Sequence, residues 1–423
     1  MVGTLCPLNE PETRLQTPTT HNDLTAHRYR FTGHERILHN VRVEEALPGL
    51  LELFGYRHVF VVCSRSLNTR TEVIARIRAC LGERLVGLTD DVGEHSPLSN
   101  VLRAAQQVRD AGADVLLSVG GGSVMDMCKA IQLCLSENAY SREALLKLQF
   151  VLSDDGTEML TTSRAAPAIR QIAIPTTLAT SEWTPVSTPI DELTHLKARF
   201  VVPEGSPRAV IYDPAILAHT PFPLLLSTGI RGLDHAINTA CSSSPHPFAS
   251  LLAEQAIALY MQNLPLLKDP GNRQAHANCQ LATWYTGMGQ MSVPHGFSHW
   301  MVHIVGPYGS VAHSDAACVL MLAQAKWLEG WATEQHDRLR QTLGGSGQPF
   351  HEILQRLLEL LGLPTALQDL GLNRHQVEAM IEPALQHPMV TRNNLRPIRS
   401  ADDLRAVLAL AWRNDVTQAE TLQ

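Results

Sequence analysis

Three consecutive glycines, Gly120-Gly121-Gly122, join an apolar run to a helical one, and no other feature constrains the fold of this chain as strongly. Before them stands Asp114-Val115-Leu116-Leu117-Ser118-Val119, short, apolar and β-branched, which reads as a buried strand. After them Ser123 opens a stretch of helical period over Val124–Leu135. Glycines at such a turn let the backbone approach a ligand closely, and the helix N-terminus adds partial positive charge. A tight strand-to-helix turn would use glycine for its own sake. The strand before, the helix after and the Ser123 donor favour a pyrophosphate cradle. The pattern is neither GxGxxG nor a Walker A loop, because no Gly-Lys-Ser/Thr follows.

The strand belongs to a series. His58–Cys63, Leu85–Leu88, Gln171–Ile174 and Ala209–Tyr212 read as strands, with helical stretches over Thr71–Leu81 and Leu98–Ala111 between them. Strands alternating with helices imply right-handed crossovers and a parallel sheet covered on both faces. The strand at Gln171–Ile174 runs into Pro175-Thr176-Thr177-Leu178-Ala179-Thr180-Ser181, a loop rich in hydroxyl donors for a ribose or phosphate. Thr and Ser are also common in ordinary loops and caps. Here the loop sits at the carboxyl end of a parallel strand, where α/β sheets bind ligands, and two such loops suggest a dinucleotide. Beyond Pro214 the period is helical, as in Leu251–Leu264, Gln274–Met288, Phe350–Leu361 and Ala401–Trp412. The expected organisation is an arm over 1–35, a dinucleotide-binding α/β domain over 36–215 and an all-α domain over 216–423. The stretch from Asn138 to Ala168 reads as an insertion or flap, and Gly344-Gly345-Ser346-Gly347 as a loop between helices.

Charge narrows the partners. Lys and Arg number 34 against 41 Asp and Glu in 423 residues, a net −7 with no basic cluster, which argues against nucleic acid and anionic membranes. No window approaches the roughly 18 apolar residues of a membrane-spanning helix. The eight cysteines form no CxxC pair, so reduced, buried thiols are expected. The first residues lack a secretory pattern. A small-molecule substrate, a homodimer and a cytoplasmic location are the expectations.

The 19 histidines are the unusual count. Asp234-His235 opens one group, Pro294-His295-Gly296-Phe297-Ser298-His299-Trp300-Met301-Val302-His303 forms a second, and His313-Ser314-Asp315 a third. Residues four apart share a helix face, so His299 and His303 form a column that can bind a divalent metal or move protons.

Taken in order, GGGSVMDMCKA, PTTLATSEWTP, VIYDP, TGIRGLDHAIN and SHWMVHIVG…HSDAACVL resemble the iron-containing (group III) alcohol dehydrogenase superfamily. The branch they are most similar to is that of maleylacetate reductase, whose C-terminus Asn394-Leu395-Arg396-Pro397-Ile398 also resembles. The resemblance implies a Rossmann-like domain followed by a helical one, the dehydroquinate synthase-like fold, with the active site in the cleft. It places Gly121, Gly122 and Ser123 in the pyrophosphate loop. Thr176, Thr177 and Leu178 fall beside the nicotinamide ribose, with Ser181 as a further donor. Asp126 is the acid of GGGSxxD, and Lys197 aligns with a nucleotide-contacting lysine. Ser64 stands where an acid often binds the adenosine ribose, and its neighbour Arg65 leaves room for a 2′-phosphate.

For a metal, iron or zinc, the resemblance offers His235, His299 and His313, with His303 near the substrate. The fourth ligand, an aspartate in the family, is Arg231 here, and a guanidinium repels a cation. Asp234 lies beside His235 at a different helical angle. Maleylacetate reductases also lack that aspartate and are held to work without metal. The expected activity is therefore NAD(P)H-dependent reduction of a carbonyl or conjugated oxo-acid without metal. Arg231 would orient a carboxylate or polarise the carbonyl oxygen, or else serve only as a salt bridge to Asp234 or a neighbouring acid, and His303 or His299 would supply the proton. The alternatives are a metal-dependent alcohol dehydrogenase and a non-redox lyase or isomerase on the same scaffold.

Overall fold

The computed structural model describes residues 6–7, 29, 31, 33–152, 159–163, 165–345 and 347–413. Their secondary structure opens on strand β1 (Arg36–His39), helix α1 (Val43–Phe54), β2 (Val59–Cys63), α2 (Val73–Leu81) and β3 (Leu85–Thr89). Then come α3 (Leu98–Asp110), β4 (Val115–Gly120), α4 (Gly122–Ser136), β5 (Arg170–Pro175) and β6 (Ala209–Tyr212). The six strands form one parallel sheet in the order β1-β6-β5-β4-β2-β3.

Period-2 burial explains the sheet. On β2, Val59, Val61 and Cys63 face a core with α1 and α2, while Phe60 and Val62 face a second core with α3 and α4. Because both faces of the inner strands are covered, those strands are mostly apolar and stand out in the sequence. The exception is β1, a short and half-exposed edge strand that its composition does not announce. The expected arm over 1–35 lies almost wholly outside the described residues.

Strand order locates the ligand end. From β2 the chain moves outward to β3, then returns to the other side of β2 as β4 and continues to β5 and β6. The crevice outside the carboxyl ends of β2 and β4 is thus a topological switch point. Register places Cys63 beside Val119 and Gly120 beside Pro175, so Ser64, the glycine loop and the Pro175 loop leave three adjacent strands at one level.

The rest is mainly helical: α5 (Phe222–Ala240), α6 (Pro247–Asn263), α7 (Arg273–Gln290), α8 (Phe297–Gly309), α9 (His313–Trp327), α10 (Phe350–Leu360) and α11 (Ala401–Ala409). Two compact units result: the described residues of Met1–Leu225 with Leu267–Met288, and those of Leu226–Leu266 with Gly289–Gln423. Most of α7 therefore belongs with the sheet, although its helical period had placed it in the second half. The reason is packing. Trp284 stacks on Trp183 at 6.4 Å and an interplanar angle of 6°, and Gln280 Nε2 donates to Asp213 O at 3.3 Å. At Gly287 a Cβ would lie 2.0 Å from the Trp183 ring, so only glycine lets this helix approach. Among the described residues no helix is long and apolar enough to cross a membrane.

Candidate active site

In the first unit the two strand-end loops are fitted to each other. Thr176 N donates to Gly120 O at 3.0 Å, and Thr220 Oγ1 donates to Thr176 O at 2.6 Å. A Cβ on Gly121 would lie 2.9 Å from Thr177 Cγ2, so Gly121 is glycine because the second loop occupies that space. Gly121 is the N-cap of α4 and has no side chain with which to cap it. Amide groups at such an end suit an anion.

Asp126 and Ser181, expected to touch the cofactor, are also bonded to the protein around them. Asp126 Oδ1 accepts from Ser181 Oγ at 2.7 Å and from Lys129 Nζ at 3.1 Å, and Oδ2 accepts from Thr188 N and Oγ1, both at 3.1 Å. Lys129, which the sequence reading passed over, is fully buried. Its ammonium also donates to Ser181 O and Val186 O, both at 2.8 Å. This pair ties α4 to the loop that follows β5. A lysine three residues after an aspartate was its only signal, and that spacing is common on exposed helices.

Thr176, Thr177 and Leu178 are buried at the strand end. Ser64 N donates to Val119 O at 3.2 Å, placing Ser64 beside the glycine loop. Ser123 O accepts from Ser96 Oγ at 2.6 Å. Lys197 is exposed on a two-stranded hairpin, Ile190–Asp191 with Leu196–Lys197, outside the six-stranded sheet. Arg65 faces the carboxylates of Asp90 and Asp91 at 3.9 and 3.7 Å, so its charge already has partners.

In the second unit α5 carries Arg231, Asp234 and His235, whose 3- and 4-residue spacings share one face. Ring centroids of His235 and His299 lie 4.9 Å apart, and those of His295 and His299 lie 4.7 Å apart. His299 and His303 follow at 6.1 Å, and His303 and His313 at 5.1 Å. The expected column thus exists and is longer than the two-residue spacing suggests. His303 and His313 are exposed, with Nδ1 and Nε2 3.4 Å apart. Burial lowers the other three rings: His235 and His299 well below the usual imidazole value, and His295 to about 4. They are neutral imidazoles at pH 7.

Asp234 is fully buried and its carboxylate is saturated. Oδ1 accepts from Ser298 Oγ at 2.6 Å and Asn238 Nδ2 at 3.0 Å, while Oδ2 takes Arg231 Nη1 at 3.2 Å. Gln290 Oε1 accepts from His235 Nδ1 at 2.8 Å, which leaves the Nε2 lone pair facing Arg231 Nη2 at 3.5 Å. Gln290 is a second functional residue that the sequence reading missed, because nothing in an amide 55 positions away signals a ring partner.

Asp234, His235 and His299 offer ligand atoms within 4.8 Å of one another, so this acid and these two imidazoles are the group with metal-binding spacing among the described residues. His313, expected as a third ligand, lies outside this group, with Nε2 3.4 Å from His303 Nδ1. The donor set does not fit a cation as it stands. The guanidinium of Arg231 lies on Asp234 Oδ2 and against His235 Nε2, the atoms an ion would need.

Two family models match the chain. Residues 35–214 match "Iron-containing alcohol dehydrogenase", and residues 225–412 match "Fe-containing alcohol dehydrogenase family, C-terminal". Maleylacetate reductase 2 of Cupriavidus pinatubonensis is 27% identical over 326 residues, covering 76% of this chain and 80% of its own. The crystal structure of maleylacetate reductase from a Rhizobium species superposes with a TM-score of 0.75 at 24% identity, covering 92% of this chain and 99% of that one. Sulfoacetaldehyde reductase from Bifidobacterium kashiwanohense, solved in complex with NAD+, gives 0.79 at 20% identity, covering 92% and 100%. Matched by the two models over most of its length, the chain is an oxidoreductase that belongs to the iron-containing alcohol dehydrogenase family.

Proposed function

We propose that this protein is an NAD(P)H-dependent reductase of a carbonyl or conjugated oxo-acid and that Arg231 does the work of the family's metal ion. The observation that carries the reading is the guanidinium itself, held by Asp234 Oδ2 at 3.2 Å on the two ligand atoms a cation would take. Its other N–H groups have no partner among the described residues, and a planar fork of donors suits a carboxylate or a developing oxyanion. The similarity to maleylacetate reductases supports an acidic, conjugated substrate.

In this reading the glycine loop, Ser123, Ser64 and the Thr176-Thr177-Leu178 turn hold the dinucleotide. NAD(P)H, when bound there, would supply the hydride, and Arg231 would stabilise the negative charge that forms on the substrate oxygen. His303 is the proton donor of choice over His299. His299 is half-buried, with its pKa lowered chiefly by desolvation, whereas His303 is exposed and adjacent to His313, so solvent can replace the proton it gives. The balance is NAD(P)H plus a proton plus the unsaturated substrate, giving NAD(P)+ and the reduced product. The counter-charges on Arg65 favour NADH over NADPH, a change from the sequence hint.

Absorbance at 340 nm with NADH and NADPH against a panel of oxo-acids and simple aldehydes tests this. Consumption with carboxylate-bearing acceptors, and little with aldehydes lacking a carboxylate, is expected. Tight nucleotide binding without consumption across the panel sinks the redox reading.

A further inference from the structure

Helix α8 carries His299 and His303, yet its N-cap is Gly296, which has no side chain to offer. Its first amide groups are nevertheless taken one after another. Gly296 N donates to Asn238 Oδ1 at 3.0 Å, Phe297 N to Asn394 Oδ1 at 2.7 Å, and Ser298 N to Gln324 Oε1 at 2.8 Å. The three acceptors come from α5, from the segment before α11, and from α9. Each is a side-chain amide, and each is anchored by its own N–H2. Asn238 Nδ2 donates to Ser298 Oγ at 2.8 Å and to Asp234 Oδ1 at 3.0 Å. Gln324 Nε2 reaches Asn238 Oδ1 at 3.2 Å, and Asn394 Nδ2 reaches Val390 O at 2.6 Å.

We infer that Asn238, Gln324 and Asn394 are positioning residues that set the rotation and height of α8, and through it the placement of His299 and His303. Successive amides of a helix point along its axis but sit about 100° apart around it. One cap therefore leaves rotation free, whereas three from separate elements remove it. Gly296 is part of the device, since a Cβ there would lie 3.1 Å from Asn394 Oδ1. The choice of amide also has a cause. A carboxylate at Asn238 would accept the Gly296 N–H but would press a second negative charge on buried Asp234 and lose the donor to it. The C-terminal segment thereby enters the site's construction. Arg396, two residues beyond Asn394, stacks 3.5 Å over Trp327 and donates to Trp327 O at 2.8 Å, which fixes the segment to the end of α9.

The claim rests on the proposed reductase activity only for its kinetic readout. The test compares full-length Asn394→Ala, Asn394→Asp and Ser400→Ala, the last removing an ordinary cap from α11, where Ser400 Oγ accepts from Asp403 N. Asn394→Ala should lower kcat about ten- to hundredfold while leaving KM for NAD(P)H within twofold, as expected of misplaced groups. It should also shift the ring Cε1–H resonances of His299 and His303. Asn394→Asp, which keeps the acceptor for Phe297 N but loses the donor to Val390 O, should recover part of kcat. Ser400→Ala should lose thermal stability with kcat and ring resonances unchanged. Should the alanine variant prove insoluble, Asn394→Ser, whose hydroxyl is too short to reach Phe297 N, carries the same test. Equal kcat losses in Asn394→Ala and Ser400→Ala, or ring resonances unmoved by Asn394→Ala, overturn the inference. If wild-type protein turns over nothing, the functional reading fails and the resonances alone decide the positioning claim.

Discussion

The strand-end loops of the first unit and the imidazole group of the second are each organised by a buried ion pair, but the two pairs are used differently. Lys129 and Asp126 spend their polar atoms on Ser181, Val186 and Thr188, so the charges cancel inside the protein and backbone amides are left to meet a ligand. Arg231 and Asp234 are arranged the other way. Asp234 is saturated by Ser298, Asn238 and Arg231, whereas the guanidinium retains donors that no described residue takes. One pair is a fastening. The other is a fastened cation presented for use, and in this account it stands where relatives would hold a metal.

The largest expected effect comes from breaking the second pair. Arg231→Met leaves Asp234 buried without its counter-charge, a loss of about 3–5 kcal/mol in folding stability. It also removes the oxyanion partner, so kcat/KM with an oxo-acid should fall by about 10²–10³. The same variant frees the Asp234, His235 and His299 atoms that lie within 4.8 Å, so it should acquire zinc measurable by elemental analysis after dialysis. Wild-type rates with no metal gained would erase the contrast drawn here.

Breaking the first pair should act on binding rather than on chemistry. Lys129→Met strands Asp126 and unfastens the loop after β5, with a cost of about 3 kcal/mol because Asp126 keeps some contact with solvent. KM for NAD(P)H should rise several-fold while kcat at saturation changes little. A fall in kcat with unchanged KM would contradict the division of labour.

Acid should separate the units more gently. Burial lowers His235, His295 and His299 in the second unit, while His34 in the first is lowered to about 4, chiefly by burial. A histidine in the unfolded chain takes its proton near pH 6.5. Below that, the unfolded chain binds protons that the folded rings refuse, so stability falls as pH drops from about 6.5 towards 4. Each ring contributes up to about 1.4 kcal/mol per pH unit in that window. Calorimetry at pH 7 and pH 5 should therefore show the transition of the second unit moving further than that of the first.

What the sequence made legible follows from where the forces are local. Strands such as Val59–Cys63 are apolar on both faces, and the glycine loop needs its residue types at consecutive positions, so both announce themselves. His299 and His303 are four apart on one helix and were equally visible. The partners of Asp126 were not legible, because a motif names a residue and not what it binds, and here those partners are Ser181, Lys129 and Thr188. The amides that cap α8 were invisible for a plainer reason. Asn238, Gln324 and Asn394 lie 58, 26 and 97 positions from the groups they bind, and an amide within a helical run has no local signature. The packing of helix α7 was not legible, because its period records only that it is helical and not that Trp284 stacks on Trp183.

The central claim is that Arg231 replaces the ion. The direct measurement is the rate of NAD(P)H oxidation with a carboxylate-bearing oxo-acid after exhaustive dialysis against a chelator, then after adding back ferrous iron or zinc. If Arg231 replaces the ion, the dialysed protein keeps full activity and gains none on adding metal. Activity lost to the chelator and restored by either ion would contradict it.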